Sequence, residues 1–284
     1  MPKLESTGCF FRAAHVAVLQ VTNQRCVTRD IYTMPRSEIP VDILRIILEH
    51  VDKGDLATIC RLNKICCYCS QDVLYRDIYV KRLGTARVCE TLAHSTHIAR
   101  KVRSFDTDYF ESDLAAALRN MSSLRHLTLT VTLYLNVFEG CTFQLESFTC
   151  SIYYNKYLRT FLSSQSGLKS VTFNMEFDSK AFDTRCLPNL TQVTAMFSWL
   201  PHLIPGRPVT EVVALGYILN GCSVDLSFFT LATSPIQKLT IDHSYLYPQP
   251  GHLLAQIFPS LTHLTIEACT VSSFLGSQGV GGFV

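Results

Sequence analysis

Cys66-x-x-Cys69, with Cys60 and Cys67 close by, is the first spacing in this 284-residue chain that offers chemistry, since thiolates so placed can grip one tetrahedral zinc ion. No second Cys-x-x-Cys pair exists to complete such a site, and these cysteines fall in a stretch that helix packing already explains. His94-x-x-His97, near Cys89, offers further ligands but lacks the acid of a zinc-protease helix, and reads as helix surface. The glycines at 276, 279, 281 and 282 resemble a phosphate loop only superficially, because no lysine follows them. There is no Gly-x-Ser-x-Gly elbow, and no Ser, His and Asp set stands out from background. The expectation is a non-catalytic chain with no metal and no organic cofactor.

The elements that would position any site come next. A hydrophobic content of 48% with 17% charged residues fits a folded chain long enough to bury a core, and excludes a disordered one. Twelve cysteines scattered through apolar segments read as reduced core thiols and not as a disulfide framework. Glu5 and Arg12 interrupt the order that a signal peptide needs, and no window holds the ~18 apolar residues of a membrane span. A cytoplasmic or nuclear location is therefore expected, in which the sequons at Asn120 and Asn189 carry no meaning. The formal net charge of +2 hides a local excess: from Arg76 to Arg103 seven basic residues face only Asp77 and Glu90. Without interleaved aromatics this stripe reads as a solvated helix face, so neither nucleic acid nor membrane is expected as a partner.

Residues 39–80 read as three short amphipathic helices. Pro40 and Asp42 suit a first helical turn; Ile43, Ile47 and Val51 recur at i, i+4 and i+8, with Leu44 and Leu48 widening the stripe. Gly54 is expected to end that helix and Asp55 to cap the next, whose apolar face is Leu56, Ile59, Cys60 and Leu62. A third helix runs through Cys66, Cys67 and Val73 and closes at Leu74-Tyr75-Arg76-Asp77-Ile78. About forty residues make a marginal core, so such a module borrows stability from a neighbour or a partner.

The run Ile39-Pro40-x-Asp42-Ile43-Leu44, then Ile47-Leu48, Asp55-Leu56, Leu62 and Leu74-Tyr75-Arg76, resembles an F-box, and the Leu-Tyr-Arg-Asp-Ile ending resembles its fungal branch. Asp42 stands where that family has Glu, Tyr75 where tryptophan is common, and Cys66-Cys67-Tyr68-Cys69 where a more basic and aromatic stretch is usual. The resemblance implies docking on the Skp-type adaptor of a cullin RING ubiquitin ligase, through Ile39, Pro40, Ile43, Leu44, Ile47, Leu56 and Tyr75.

A pattern L-x-x-L-x-L, with other apolar residues allowed, starts at Val102, Leu124, Leu145, Leu168, Leu190, Val209, Ile236 and Leu261, at intervals of 19 to 27 residues. Such periods belong to leucine-rich repeats. The last two apolar positions alternate with a polar residue, as in a strand with one buried face. That residue is Thr128, Thr149, Thr172, Thr194, Thr240 or Thr265 in six of the eight copies. Helical spacing lies between copies, as at 112–120 and 252–258. This part resembles the leucine-rich repeats of F-box proteins, although the asparagine that often follows the strand there is missing from most copies.

The expected fold is thus α/β: an extension at 1–34, a three-helix F-box at 35–80, a helical linker at 81–101 and an irregular solenoid of about eight repeats at 102–284. The extension is expected to be disordered and dispensable or else a mispredicted start ahead of Met34, and the tail to lack a capping repeat. Parallel strands would line a concave face, with Ser104, Asp106, His126, Thr128, Ser147, Ser170, Gln192, Lys238 and His263 exposed to a target protein and Trp199 among the loop aromatics that anchor it. Tyr153, Tyr154, Tyr157, Tyr245 and Tyr247 belong to the same aromatic group. The function expected from the resemblance is substrate recognition for a ubiquitin ligase. The alternatives are a degradation-independent binding scaffold and an enzyme using Cys89 and His94 in a pocket between helices and repeats.

Overall fold

The structure is a computed structural model that describes residues 39–81, 84–109, 112–130, 136–151, 156–174, 186–216, 225–246 and 251–267. The extension at 1–34, the tail after Glu267, and Tyr153, Tyr154 and Tyr247 lie outside the described residues.

Three helices come first: α1 (Val41–Leu48), α2 (Lys53–Ile59) and α3 (Lys64–Leu74). Pro40 occupies the N-cap position of α1, and Asn63 caps α3 by accepting the Cys66 N–H at 2.8 Å. Gly54 does not end α1; it lies in the first turn of α2, where an orphan-donor turn tolerates it, and Asp52 takes the N-cap position. Leu48, Leu56 and Cys69 form a small core of their own, with Leu44, Val51 and Ile59 packed against it. Leu44, Leu48 and Val51 follow the i, i+4, i+7 spacing of one helical face, so the apolar stripe of α1 splits. Its leucines turn inward while Ile43 and Ile47 stay about half exposed, at 49% and 48%.

Nine strands follow in one all-parallel sheet, ordered in sequence from β1 to β9. They are β1 (Asp77–Val80), β2 (Ser104–Thr107), β3 (His126–Leu129), β4 (Ser147–Cys150), β5 (Ser170–Phe173), β6 (Gln192–Met196), β7 (Glu211–Leu215), β8 (Lys238–Asp242) and β9 (His263–Glu267). β2 to β9 begin two residues after the eight pattern starts. β1 was not expected as a strand. Tyr75-x-x-Ile78-x-Val80 is one more copy of the pattern, disguised by a tyrosine in the leucine position, and it pairs with β2 in the common register. The helical module therefore runs directly into the sheet. The expected linker supplies α4 (Thr85–His94) and α5 (Thr96–Ala99), which cross from β1 to β2.

Further helices occupy later crossings: α6 (Leu114–Asn120), α7 (Lys156–Ser163), α8 (Leu200–Leu203), α9 (His243–Leu246) and α10 (Gly251–Ile257). Each turn repeats one hydrogen-bond device just before its strand. The Arg76 carbonyl accepts from Arg103 and Ser104, the Arg103 carbonyl from Arg125 and His126, the Arg125 carbonyl from Glu146 and Ser147, and the pattern continues to Gln237. One continuous core runs from Tyr75 to Phe258 on the inner side of the sheet. Phe138 stacks on Phe161 at 4.3 Å and Phe173 on Trp199 at 4.6 Å, linking successive turns.

Polar side chains, half-buried at Asn120 and buried at Gln165, staple the turns where the apolar pattern leaves backbone groups uncovered. Asn120 Nδ2 donates to the Leu92 and Ala93 carbonyls at the end of α4. Gln165 accepts the Leu145 N–H at 2.8 Å and donates to the Phe143 carbonyl. Such groups are stable inside only when so paired.

Candidate interaction surfaces

Fourteen large apolar side chains are exposed among the described residues, and eight of them fall between residues 39 and 68: Ile39, Val41, Ile43, Ile46, Ile47, Leu62, Ile65 and Tyr68. Such density on so short a segment exceeds the single scattered hydrophobics of an ordinary surface. Among the expected adaptor-contacting residues, Ile39, Pro40, Ile43 and Ile47 are on the surface and Leu44 is half-buried. Leu56 and Tyr75 lie elsewhere: Leu56 is 1% exposed in the helical core and Tyr75 is 7% exposed in the sheet core, so both serve internal packing. Val41, Ile46, Ile65 and Tyr68 were not anticipated. A helix apolar nearly all round does not reveal from its period which face its own core will claim.

The module is tied to the sheet by charge. Asp72 of α3 accepts both Lys101 Nζ and, at 3.4 Å, Arg45 of α1, while Lys101 and Arg45 also lie over the Tyr68 ring. Arg76 pairs with Glu49 at 2.7 Å and holds its carboxyl below the ordinary range through that hydrogen bond. Lys53 Nζ donates to the Asp77 carbonyl at 2.8 Å.

The second surface is the solvent-facing side of the sheet. Ser104, His126, Ser147, Ser170, Gln192, Lys238 and His263 share one register column; Asp106 and Thr128 begin the next, continued by Thr149, Thr172, Thr194, Thr240 and Thr265. Asp77 and Tyr79 of β1 and Glu211 and Val213 of β7 complete these columns and were not anticipated. Small side chains dominate the middle, where His126 Nδ1 and Ser147 Oγ are 2.8 Å apart. Toward the later strands Glu211 takes Lys238 at 2.6 Å and Gln192 at 3.2 Å. At the β1–β2 end, partial burial and the neighbouring Asp108 raise the Asp106 carboxyl, while the Tyr79 hydroxyl raises the Lys81 ammonium.

Trp199 is a correction. It is 1% exposed in a short 3-10 helix (Phe197–Trp199), stacked inside the core, and so is no surface anchor. Tyr245 is buried as well, and Tyr157 remains exposed. Interior packing is the larger gain for an indole when the next turn presents a phenylalanine face.

Among the described residues no three His, Cys, Asp or Glu side chains gather in a metal-holding group. Cys89 is enclosed in the core, while His94 lies on the surface with Nδ1 2.8 Å from the Glu90 carbonyl. Burial, with Cys67 beside it, pushes the Cys60 thiol up to about 11. Iodoacetamide at pH 8 should therefore label Cys60 about a hundredfold more slowly than an ordinary thiol, because only the thiolate attacks. Peptide mapping after timed alkylation checks this, and labelling of Cys60 at the rate of a free thiol would contradict it.

No helix among the described residues is long and apolar enough to cross a membrane. Compared with known proteins, the chain matches no family model and no curated sequence.

Proposed function

We propose that this chain is a non-catalytic, two-ended adaptor. Its F-box-like helices dock on a Skp-type adaptor, and through it on cullin and RING subunits. Its leucine-rich-repeat-like sheet holds a target protein on the exposed face. The observation that carries the reading is the concentration of exposed isoleucines on α1, with Leu62, Ile65 and Tyr68 beyond it. A module whose first helix turns Leu44 and Leu48 inward and Ile43, Ile46 and Ile47 outward has a folded core and still offers apolar surface to a partner. The ion pairs Glu49–Arg76 and Asp72–Lys101, which join the helical module to the segments leading into β1 and β2, support a fixed angle between the two ends. Catalysis by the ligase needs only that the target be held near the charged enzyme, so proximity supplies the mechanism.

The test is capture of a purified Skp-type adaptor by the intact chain and by an Ile43→Glu, Ile47→Glu variant. Both side chains are about half exposed, so the variant is expected to keep its circular dichroism spectrum. Each isoleucine, already half buried, has about half of the ~1.5–3 kcal/mol of full burial left to contribute, and each glutamate adds the cost of an unpaired charge in the contact, so affinity should fall by about a hundredfold or more. Absence of capture by the unaltered chain would favour the degradation-independent scaffold, and equal capture by both forms would remove α1 from the contact.

A further inference from the structure

The described basic residues from Arg76 to Arg103 do not share a helix face: Arg87 lies in α4, whereas Arg76 and Arg103 lie outside any helix. Arg76, Arg103 and Arg125 occupy the position just before β1, β2 and β3, and the column continues with Glu146 and Lys169 before β4 and β5. Beyond it the same position holds Thr191, Thr210, Gln237 and Thr262, so the charge is confined to the first five turns. Each carbonyl in this column accepts from the backbone N–H of the next residue of the column, which holds these backbones at the strand spacing of about 4.8 Å. Glu49 neutralises Arg76, and Glu146 is shared by Arg125 at 2.8 Å and Lys169 at 3.3 Å, their cations holding its carboxyl below the ordinary range. Arg103 is exposed and forms no ion pair among the described residues.

Resting on the reading of the sheet as a target-binding face, we infer that this rim recognises an extended acidic peptide segment lying across β2 to β5. Its backbone runs over Ser104, Ser147 and Ser170, whose short side chains leave the floor open, and past the His126 ring, which is drawn onto Ser147 with Nδ1 2.8 Å from Oγ. Its carboxylates point to the rim at Arg103 and at Lys169. Three strand steps separate these two cations, about 14 Å, and an extended peptide covers about 13 Å in four residues. Residues i and i+4 of an extended chain lie on the same side, so two acids four apart reach both cations at once. Glu146 stands between them and disfavours an acid at the middle position. A nucleic acid fits less well, because its continuous phosphates would meet the carboxylates of Glu146, Asp77 and Glu49 along the same rim.

The experiment is fluorescence anisotropy on the intact chain with fluorescein-labelled glycine-serine octapeptides carrying two glutamates four residues apart, two adjacent glutamates, or two lysines four apart, beside a labelled oligothymidylate. The spaced glutamate peptide should bind best and weaken with salt. Arg103→Glu should weaken it by about tenfold or more, and Arg103→Glu with Lys169→Glu should reverse the preference toward the lysine peptide. Equal binding of the two glutamate peptides, tighter binding of the oligonucleotide, or indifference to both variants would overturn the inference. These variants leave Ile43 and Ile47 untouched, so adaptor capture is read separately: peptide binding without capture retains the rim and overturns the ligase reading.

Discussion

Trp199→Ala is expected to lower folding stability by about 3–5 kcal/mol, the range for removing a buried aromatic ring from a close-packed core. The indole is 1% exposed and stacks at 4.6 Å on Phe173 of β5, and Phe173 meets Phe148 of β4 edge to face. Losing it leaves a cavity between two turns whose backbones are held by the sheet and cannot collapse inward. Trp199→Phe keeps the stacking partner and should lose less than half as much. Urea unfolding followed by circular dichroism is the measurement, because the variant removes the only tryptophan in the chain. Unchanged stability joined to a loss of target binding would instead return Trp199 to the surface.

Arg207→Met is expected to cost about 3 kcal/mol or more, although methionine fills similar space. Arg207 is 0% exposed; its Nε donates to the Cys186 carbonyl at 2.8 Å, and its Nη1 donates to those of His202 and Pro205 at 2.8 and 3.2 Å. A buried acceptor stripped of its donor costs about 1–3 kcal/mol. The guanidinium is suited to this place because its planar fork keeps several donors at fixed angles, so Arg207→Lys should fail nearly as badly despite keeping the charge. Thermal unfolding of the three proteins decides the matter: full rescue by lysine would mean that charge alone matters, and no change with methionine would mean that the carbonyls find other partners. Hydrogen exchange should show the loss first around β6 and β7, since Arg207 fastens the segment between them to the turn before.

Much of the sheet is legible in the sequence. The spacing of Leu124, Leu127 and Leu129, repeated down the chain, requires a strand with one buried face. The register then places the six threonines in one column, as the alternation implied. The first strand was missed for a definite reason: Tyr75 holds a position given to aliphatic residues in the other copies, and the helical pattern upstream ran past it. The split face of α1 was hidden because Leu44 and Ile43 are equally apolar, and only contact with α2 and α3 separates them. Trp199 was misplaced because an aromatic residue two positions before Pro201 looks like a loop until a neighbouring turn presents a ring.

The sequence by itself determined the alternation that buries one face of every strand, the helices before the sheet, and the polar character of the exposed face. These follow from periods of 2.0 and 3.6 residues, which act over a few neighbours and are written locally. Only the tertiary structure decided which isoleucines remain exposed, that Arg76, Arg103 and Arg125 stand in one column, and that Arg207 and Trp199 are interior. Those outcomes depend on residues some 20 positions apart meeting across successive turns. The free energy of such a meeting depends on the shape and polarity of both partners, and neither partner's local sequence contains the other.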